Sequence, residues 1–534
     1  MNKKTLVVLI LLVAGCSSNE RAKEVGQIKK VAKATFDHLP AQVAGQVRIR
    51  ELMLSDPHRP IYHFVSYDGR CMPFDPDGAI FWNGKYHLCY IFQDERGHCW
   101  GHASSKDLLH WRWHTTALFP GENDVDRGIF SGNCFVNKNG EATMLYHGVD
   151  AGNCIATCRE PELNNWTKLP SNPIVPIPEE GSPEAELYRS WDPHGWVEGD
   201  TYYAVFGGNP ATVFKAKTLD EWEYVGPFLS EDMTDVDVKI EDISCPDLFK
   251  LGDKHALLCI SHSKGCRIYL GEWKNEQFYP EVHQRMNWSG GTCFAPESLV
   301  DNKGRRIMWA WVLNRREELH IDGFSNPPKY GWSGTLTLPR VLSLDENGTL
   351  LIEPVEELEQ LRMHEKEHNN ITVHDGESIL LKDIVGNAIE LQLVIEPGDA
   401  EAFGLKVCRA PDGQEQTVIE CNPSAKTIRI DLERSSLDKS IKHYEMCMNF
   451  MRDEPNQEVT EQAAPFELME DEKLQLRVFI DRSILEVFAN SRQCITQRIY
   501  PIRKDSLGVE LFSKGGSMTV ESIKAWDMTA TNPW

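Results

Sequence analysis

Across residues 60–312, apolar and polar positions alternate over short runs, and hardly any stretch repeats at helical spacing. Ala142 to Tyr146, Thr201 to Phe206, His255 to Ile260, Arg267 to Leu270 and Arg306 to Val312 each read as a strand, with Gly, Asn, Asp and Pro turns between them. Ala79 to Trp82 and Tyr86 to Phe92 flank a Trp-Asn-Gly-Lys-Tyr loop and read as a hairpin. So many short antiparallel strands predict a propeller or a large sandwich. Glu353 to His368 breaks the pattern: Val355, Leu358 and Leu361 sit at helical spacing with charges between them, which predicts a linker helix. From about Asn370 to Trp534 alternation returns, as in Leu474 to Ile480 and Ser483 to Ala489, predicting a second, smaller sandwich. Within that last run Glu486 alternates with Leu485 and Val487 and reads as a solvated strand residue.

Acidic turns punctuate the first region. Asp75 in Phe-Asp-Pro-Asp-Gly, Asp192 in Trp-Asp-Pro-His-Gly-Trp and Asp247 in Ser-Cys-Pro-Asp-Leu-Phe each stand near a proline at a strand boundary. Singly, such an aspartate caps its own turn. A radial arrangement of strands would instead gather all three at one end of its axis. Converging carboxylates are what glycosidic cleavage needs, one to attack or stabilise the sugar cation and one to protonate the leaving oxygen.

Composition narrows the choice. With 534 residues, of which 41% are hydrophobic, the chain can build two folded units. Its 15 Trp suit a surface that meets sugar rings. A net charge of −24 excludes nucleic acid and anionic membrane surfaces as partners and disfavours a phosphorylated substrate. Lys3 and Lys4 precede an apolar run, Leu6 to Ala14, that is too short for a lasting membrane span. Val13-Ala14-Gly15-Cys16 then resembles a bacterial lipoprotein signal, with Cys16 as the lipidated residue and a polar tether behind it. This places the chain outside the cytoplasm, touching a membrane only through Cys16. The other 14 cysteines lack metal-ligand spacing, so no metal or cofactor is expected, and most read as small buried groups with some disulfides open.

The ordered words RPIYHF, FDPDG, WGHASSKDLLHW, IFSGN, WDPHGW, SCPDLFKL, FAPESLVDNKGRRIMWAWV, GWSGTLTLPR and LRVFIDRSILEVFAN closely resemble glycoside hydrolase family 32, the β-fructosidases. The resemblance implies a five-bladed β-propeller followed by a β-sandwich. The expected layout is a lipoprotein signal and tether over 1–34, the propeller over 35–345, a linker helix over 346–369 and the sandwich over 370–534. It also implies a retaining hydrolase that releases fructose from fructans or sucrose-type oligosaccharides. Asp75 falls on the family's nucleophile and Asp192 on its transition-state stabiliser. Phe130, Ser131 and Gly132 match the segment that shapes the fructose subsite, and Trp100 and Trp309 are candidate walls.

Three departures stand out. Phe74 replaces the family's Asn beside the nucleophile, and Arg189 is displaced by two places from its Arg-Asp-Pro motif. The third is chemical: the family's acid/base precedes Cys-Pro, where this chain has Ser244, whose hydroxyl is far too weak an acid. Glu241 is the leading candidate for the displaced acid/base, with Asp242 and Glu297 as alternatives. Asp247 reads as structural, orienting the loop. The competing functions are a glycan-binding lipoprotein that has lost its acid, a fructosyltransferase, and a hydrolase of another furanoside.

Overall fold

The computed structural model describes residues 40–68, 70–230, 242–315, 330–448 and 456–532. Cys16, the rest of 1–34, and Glu241 lie outside the described residues. The chain divides into two units, Met1–Asp56 and Pro57–Pro533. Among the described residues of the first stands one helix, Ala41–Leu54.

The second unit begins with five antiparallel sheets of consecutive strands. Blade one holds Pro76–Trp82, Lys85–Asp94, Gly97–Ser105 and Trp111–Trp113; blade two starts at Ile129–Val136, blade three at Pro193–Glu198, blade four at Ser244–Leu251 and blade five at Cys293–Val300. The first strands of successive blades neighbour one another, and that of blade five returns to that of blade one, closing a five-bladed propeller. They enclose an axial channel of about 670 Å³ lined by residues from all five. Closure leaves the inner strands without an exposed edge.

Local sequence explains these hairpins. Trp82 pairs with Lys85 across a two-residue turn in which Asn83 and Gly84 both take positive φ, +47° and +75°. This is the backbone that an Asn-Gly loop favours between twisted strands. Thr201–Phe206 and Arg306–Val312 form as the alternation predicts.

Beyond the propeller, two six-stranded sheets stack face to face over a core that includes Leu391, Phe403, Leu405, Val478, Ile480 and Leu511. The predicted linker helix is absent. Leu350–Pro354 is the outer strand of blade five, beyond the expected propeller boundary at 345, and Glu356–Leu361 makes a short 3-10 turn. Arg362–Val373 then pairs with Met518–Met528 in the sandwich. The helical spacing is nevertheless used, because Val355, Leu358 and Leu361 are all buried in the core that joins the propeller to the sandwich. One 3-10 turn suffices to bury them, and the charged run that follows gains more from a long ladder than from an isolated helix.

Two buried polar contacts lock sandwich to propeller. The Asp481 carboxylate accepts the backbone N–H groups of Ile61, Tyr62 and His63 at 2.7, 2.9 and 2.9 Å, which accounts for the Arg-Pro-Ile-Tyr-His-Phe word. Glu486, expected to be solvated, is wholly buried and pairs with Arg340 of blade five at 3.1 Å. Its strand is covered on both faces, by the opposing sheet and by the propeller, so alternation no longer separates inside from outside. No disulfide forms among the described cysteines; 13 of the 14 are buried thiols, and Cys245 is partly exposed.

Candidate active site

All five inner strands run the same way along the axis, so their first residues meet at one mouth. Four of them are irregular there: pairing slips between Asp77 and Ile80, Ile129 and Gly132, Ser244 and Asp247, and Phe294 and Pro296. Bulges of this kind re-aim side chains at the end of a sheet. Cys245 is held at φ +45°, a conformation that costs energy for a non-glycine residue and that turns its N–H and its sulfur toward the two site aspartates.

At this mouth lies a cavity of about 290 Å³. Asp75, Ser131, Asp192, Cys245, His98 and His262 supply its polar lining, and Phe130, Trp191, Phe294, Ile260, Pro73 and Met72 most of its apolar wall. Ser131 Oγ donates to Asp75 Oδ2 at 2.8 Å, and Cys245 Sγ approaches the same oxygen at 3.6 Å. The backbone N–H of Cys245 donates to Asp192 Oδ2 at 3.1 Å. Burial pushes the Asp75 carboxyl up to about 6, and the negative charge of Asp192 adds to the rise, while Ser131, His262 and Cys245 pull it back. Burial raises Asp192 as well, against the opposing pull of His147, the Cys245 N–H and His262. Both groups therefore titrate closer to neutrality than free aspartates, as expected for carboxylates in a reactive site.

Two residues beyond Asp75, Asp77 Oδ1 accepts the N–H of Gly132 at 2.9 Å. A side chain at 132 could not fit, since its Cβ would stand 2.1 Å from the Leu145 carbonyl oxygen. Thus the Phe-Ser-Gly word serves two ends: serine orients Asp75, and glycine lets the strand approach its neighbour.

The structure brings Asp75, Asp192, Phe130 and Ser131 together and corrects several other assignments. Trp100 and Trp309 are core residues, 0% and 1% exposed. Trp100 packs against Tyr146 and beneath Gly78, and Trp309 meets Trp111 edge-on. Phe74 is likewise buried, against Phe64 and Tyr90, and fills the core without lining the cavity. Glu297 lines the axial channel beyond the site, where it accepts the Ala79 N–H at 3.2 Å and burial favours its neutral form. Asp247 lies in the same channel, takes a hydrogen bond from Ser298 Oγ and has His194 Nδ1 at 3.7 Å. Asp242 does not line the cavity. Burial opposes its ionisation, but hydrogen bonds from His262 and Ser244 outweigh burial and hold the carboxyl below its usual range, which suits it poorly as a proton donor.

Sequence reasoning missed Trp191 as a wall, together with His98, His262 and Met448. Trp191 sits inside the quoted Trp-Asp-Pro word, with the Arg189 guanidinium 4.1 Å above its ring. Met448 comes from the C-terminal half of the chain: Cys447 and Met448 donate their N–H groups to the carbonyls of Ser263 and His262, both at 3.1 Å. No local pattern announces such a contact.

The matches to known proteins agree with this geometry. Residues 72–354 match the glycosyl hydrolases family 32 N-terminal domain and 357–527 the family 32 C-terminal domain. A sucrose-6-phosphate hydrolase of Zymomonas mobilis is 28% identical, covering 91% of this chain and 95% of its own length. A levanase of Bacillus subtilis is 27% identical, covering 88% and 71%. The crystal structure of fructan 1-exohydrolase IIa from Cichorium intybus superposes with a TM-score of 0.75 at 23% identity, over 89% of this chain and 98% of that one. With both domain models matched in order over most of its length, the chain belongs to glycosyl hydrolase family 32.

Proposed function

We propose that the protein is a retaining glycoside hydrolase that releases fructose from fructans or sucrose-type oligosaccharides. The observation that carries the reading is the sharing of one cavity by Asp75 and Asp192, with Asp75 fixed by Ser131 and Cys245. In this reading Asp75 attacks the anomeric carbon of a terminal fructosyl unit and forms an ester, which water then cleaves. Asp192 accepts hydrogen bonds from fructose hydroxyls and stabilises the cation-like transition state. Phe130 and Trp191 supply faces on which a furanose ring can lie.

Relatives named sucrose-6-phosphate hydrolase, levanase and fructan 1-exohydrolase all support a fructose-releasing reaction. Among the described residues the cavity has no Lys or Arg in its lining, which favours a neutral sugar over a phosphorylated one. The test is product analysis after incubation with levan, inulin, sucrose, sucrose-6-phosphate and an arabinofuranoside, alongside Asp75→Asn. Free fructose from the neutral fructosides, and none with the variant, is expected. Undiminished turnover by Asp75→Asn overturns the nucleophile, and binding without release of any sugar favours a glycan-binding protein.

We also propose that Cys16 anchors the protein to a bacterial membrane, on the strength of Val13-Ala14-Gly15-Cys16. Cys16→Ser should move the protein from the membrane fraction to the soluble fraction; an unchanged distribution contradicts the anchor.

A further inference from the structure

We propose that His262, held by Asp242, is the acid/base of this site and performs the proton transfer that Ser244 cannot. The inference rests on the hydrolase reading above. Its basis is the pairing of the first two strands of blade four. Ser244 stands opposite Ile260, and two residues further the same register sets Asp242 opposite His262. Ser244 keeps the place that precedes Cys-Pro, and its hydroxyl, 3.2 Å from Asp242 Oδ2, serves to orient that carboxylate.

Contacts from three elements hold His262. Its Nδ1–H donates to Asp242 Oδ2 at 2.6 Å, and its backbone N–H lies 3.3 Å from Asp242 Oδ1. Its carbonyl accepts the Met448 N–H at 3.1 Å, and Phe294 meets its ring edge-on with centroids 6.1 Å apart. It lines the same cavity as Asp75 and Asp192. With Nδ1–H donated to Asp242, the second proton of the imidazolium form sits on Nε2, and that is the proton the proposal transfers. A carboxylate behind an imidazole fixes its tautomer and stabilises the imidazolium, the arrangement that suits a histidine to general acid and base work.

Among the described residues, three aspartates from separate elements act on the ring. Asp242 precedes the inner strand of blade four, Cys245 lies in that strand, Asp75 comes from blade one and Asp192 from blade three, while Phe294 of blade five and Met448 add no charge. Arg267 donates to the Asp242 backbone carbonyl at 2.6 Å. Burial disfavours the imidazolium, but the Asp242 hydrogen bond and the three aspartate charges outweigh it, so His262 titrates above its ordinary value.

In the first half-reaction an Asp75 oxygen bonds to the anomeric carbon as the glycosidic C–O bond breaks. Its electron pair goes to the leaving oxygen, which takes the Nε2 proton. In the second half neutral His262 removes a proton from water as the water oxygen attacks the same carbon. The ester C–O bond breaks, returning the Asp75 carboxylate and the imidazolium.

The test compares kcat/KM for sucrose with that for p-nitrophenyl β-fructofuranoside, whose leaving group needs no proton, in wild type, His262→Gln, His262→Asn, Asp242→Asn and Glu241→Gln. Wild-type turnover is read first; its absence sinks the hydrolase reading itself. Given turnover, His262→Gln and His262→Asn should lose about 100-fold or more on sucrose and under about 10-fold on the aryl fructoside. The alkaline limb of the wild-type pH profile should lie above His262's ordinary range and move down in Asp242→Asn, because an amide cannot stabilise the imidazolium. Equal losses on both substrates, an alkaline limb unmoved in Asp242→Asn, or the substrate split in Glu241→Gln in place of the His262 variants would overturn the assignment.

Discussion

Replacing Asp75 with asparagine should abolish catalysis and at the same time stabilise the protein. The side chain is 7% exposed, and burial raises its carboxyl from 3.8 to about 6. A rise of about two units corresponds to a folded state made less stable by about 3 kcal/mol wherever the group is ionised in both states. The sign follows from linkage. Below the unfolded value of 3.8 the carboxyl is neutral in both states and costs nothing. Between 3.8 and about 6 the unfolded chain ionises while the folded one resists, so the penalty grows; above about 6 it is complete. Asparagine keeps the shape and still accepts the Ser131 hydrogen bond without the charge. For a unit the size of Pro57–Pro533 the unfolding entropy is about 1 kcal/mol per degree, so Tm should rise by about 3 °C near pH 7.5 and by under about 1 °C near pH 4. Thermal scans of both proteins at a fixed rate across that range measure the gap, with fructose release assayed in parallel. A gap that is absent, reversed or independent of pH refutes the picture of a buried, reluctantly ionised nucleophile.

Two further outcomes follow from the same geometry. Ser131→Ala removes a charge-assisted hydrogen bond worth about 1.5–3 kcal/mol, which should move the acidic limb of the kcat/KM profile upward from about 6 by about one to two units; because Asp75 acts as the carboxylate, activity near pH 6 falls, and an unmoved limb contradicts the contact's role. Arg340→Ala should destabilise the protein by about 3–5 kcal/mol in denaturant melts by stranding the buried Glu486 charge, and Arg340→Met combined with Glu486→Leu should recover most of it; a neutral single variant contradicts the pair's role in joining propeller and sandwich.

The fold was largely readable because propeller strands are short, local and separated by turn words that state their own geometry, as Asn83-Gly84 does. Asp75 and Asp192 stand out for a related reason: each directly precedes the proline that opens an inner strand, and the family resemblance, not the turn alone, separates them from self-capping aspartates. What failed depended on partners far along the chain. Val355, Leu358 and Leu361 stand at helical spacing within Glu353 to His368, but from Arg362 onward the strand partner is Met518–Met528, and no local signal reports that. Glu486 alternates like a solvent-facing residue because one covering layer belongs to another domain. Trp100 and Trp309 show that an indole near a motif can as easily fill a core as line a cleft. His262 and Asp242 are twenty residues apart, and only the antiparallel register of blade four makes them neighbours.

The most direct test of the central claim, that Asp75 acts through a covalent fructosyl intermediate, is the anomer formed when methanol competes with water for p-nitrophenyl β-fructofuranoside. Two displacements at one carbon require retention. Wild type should give methyl β-fructofuranoside by NMR, and Asp75→Asn should give no methyl fructoside. An α-anomer from wild type, or β-product from the variant, contradicts the account.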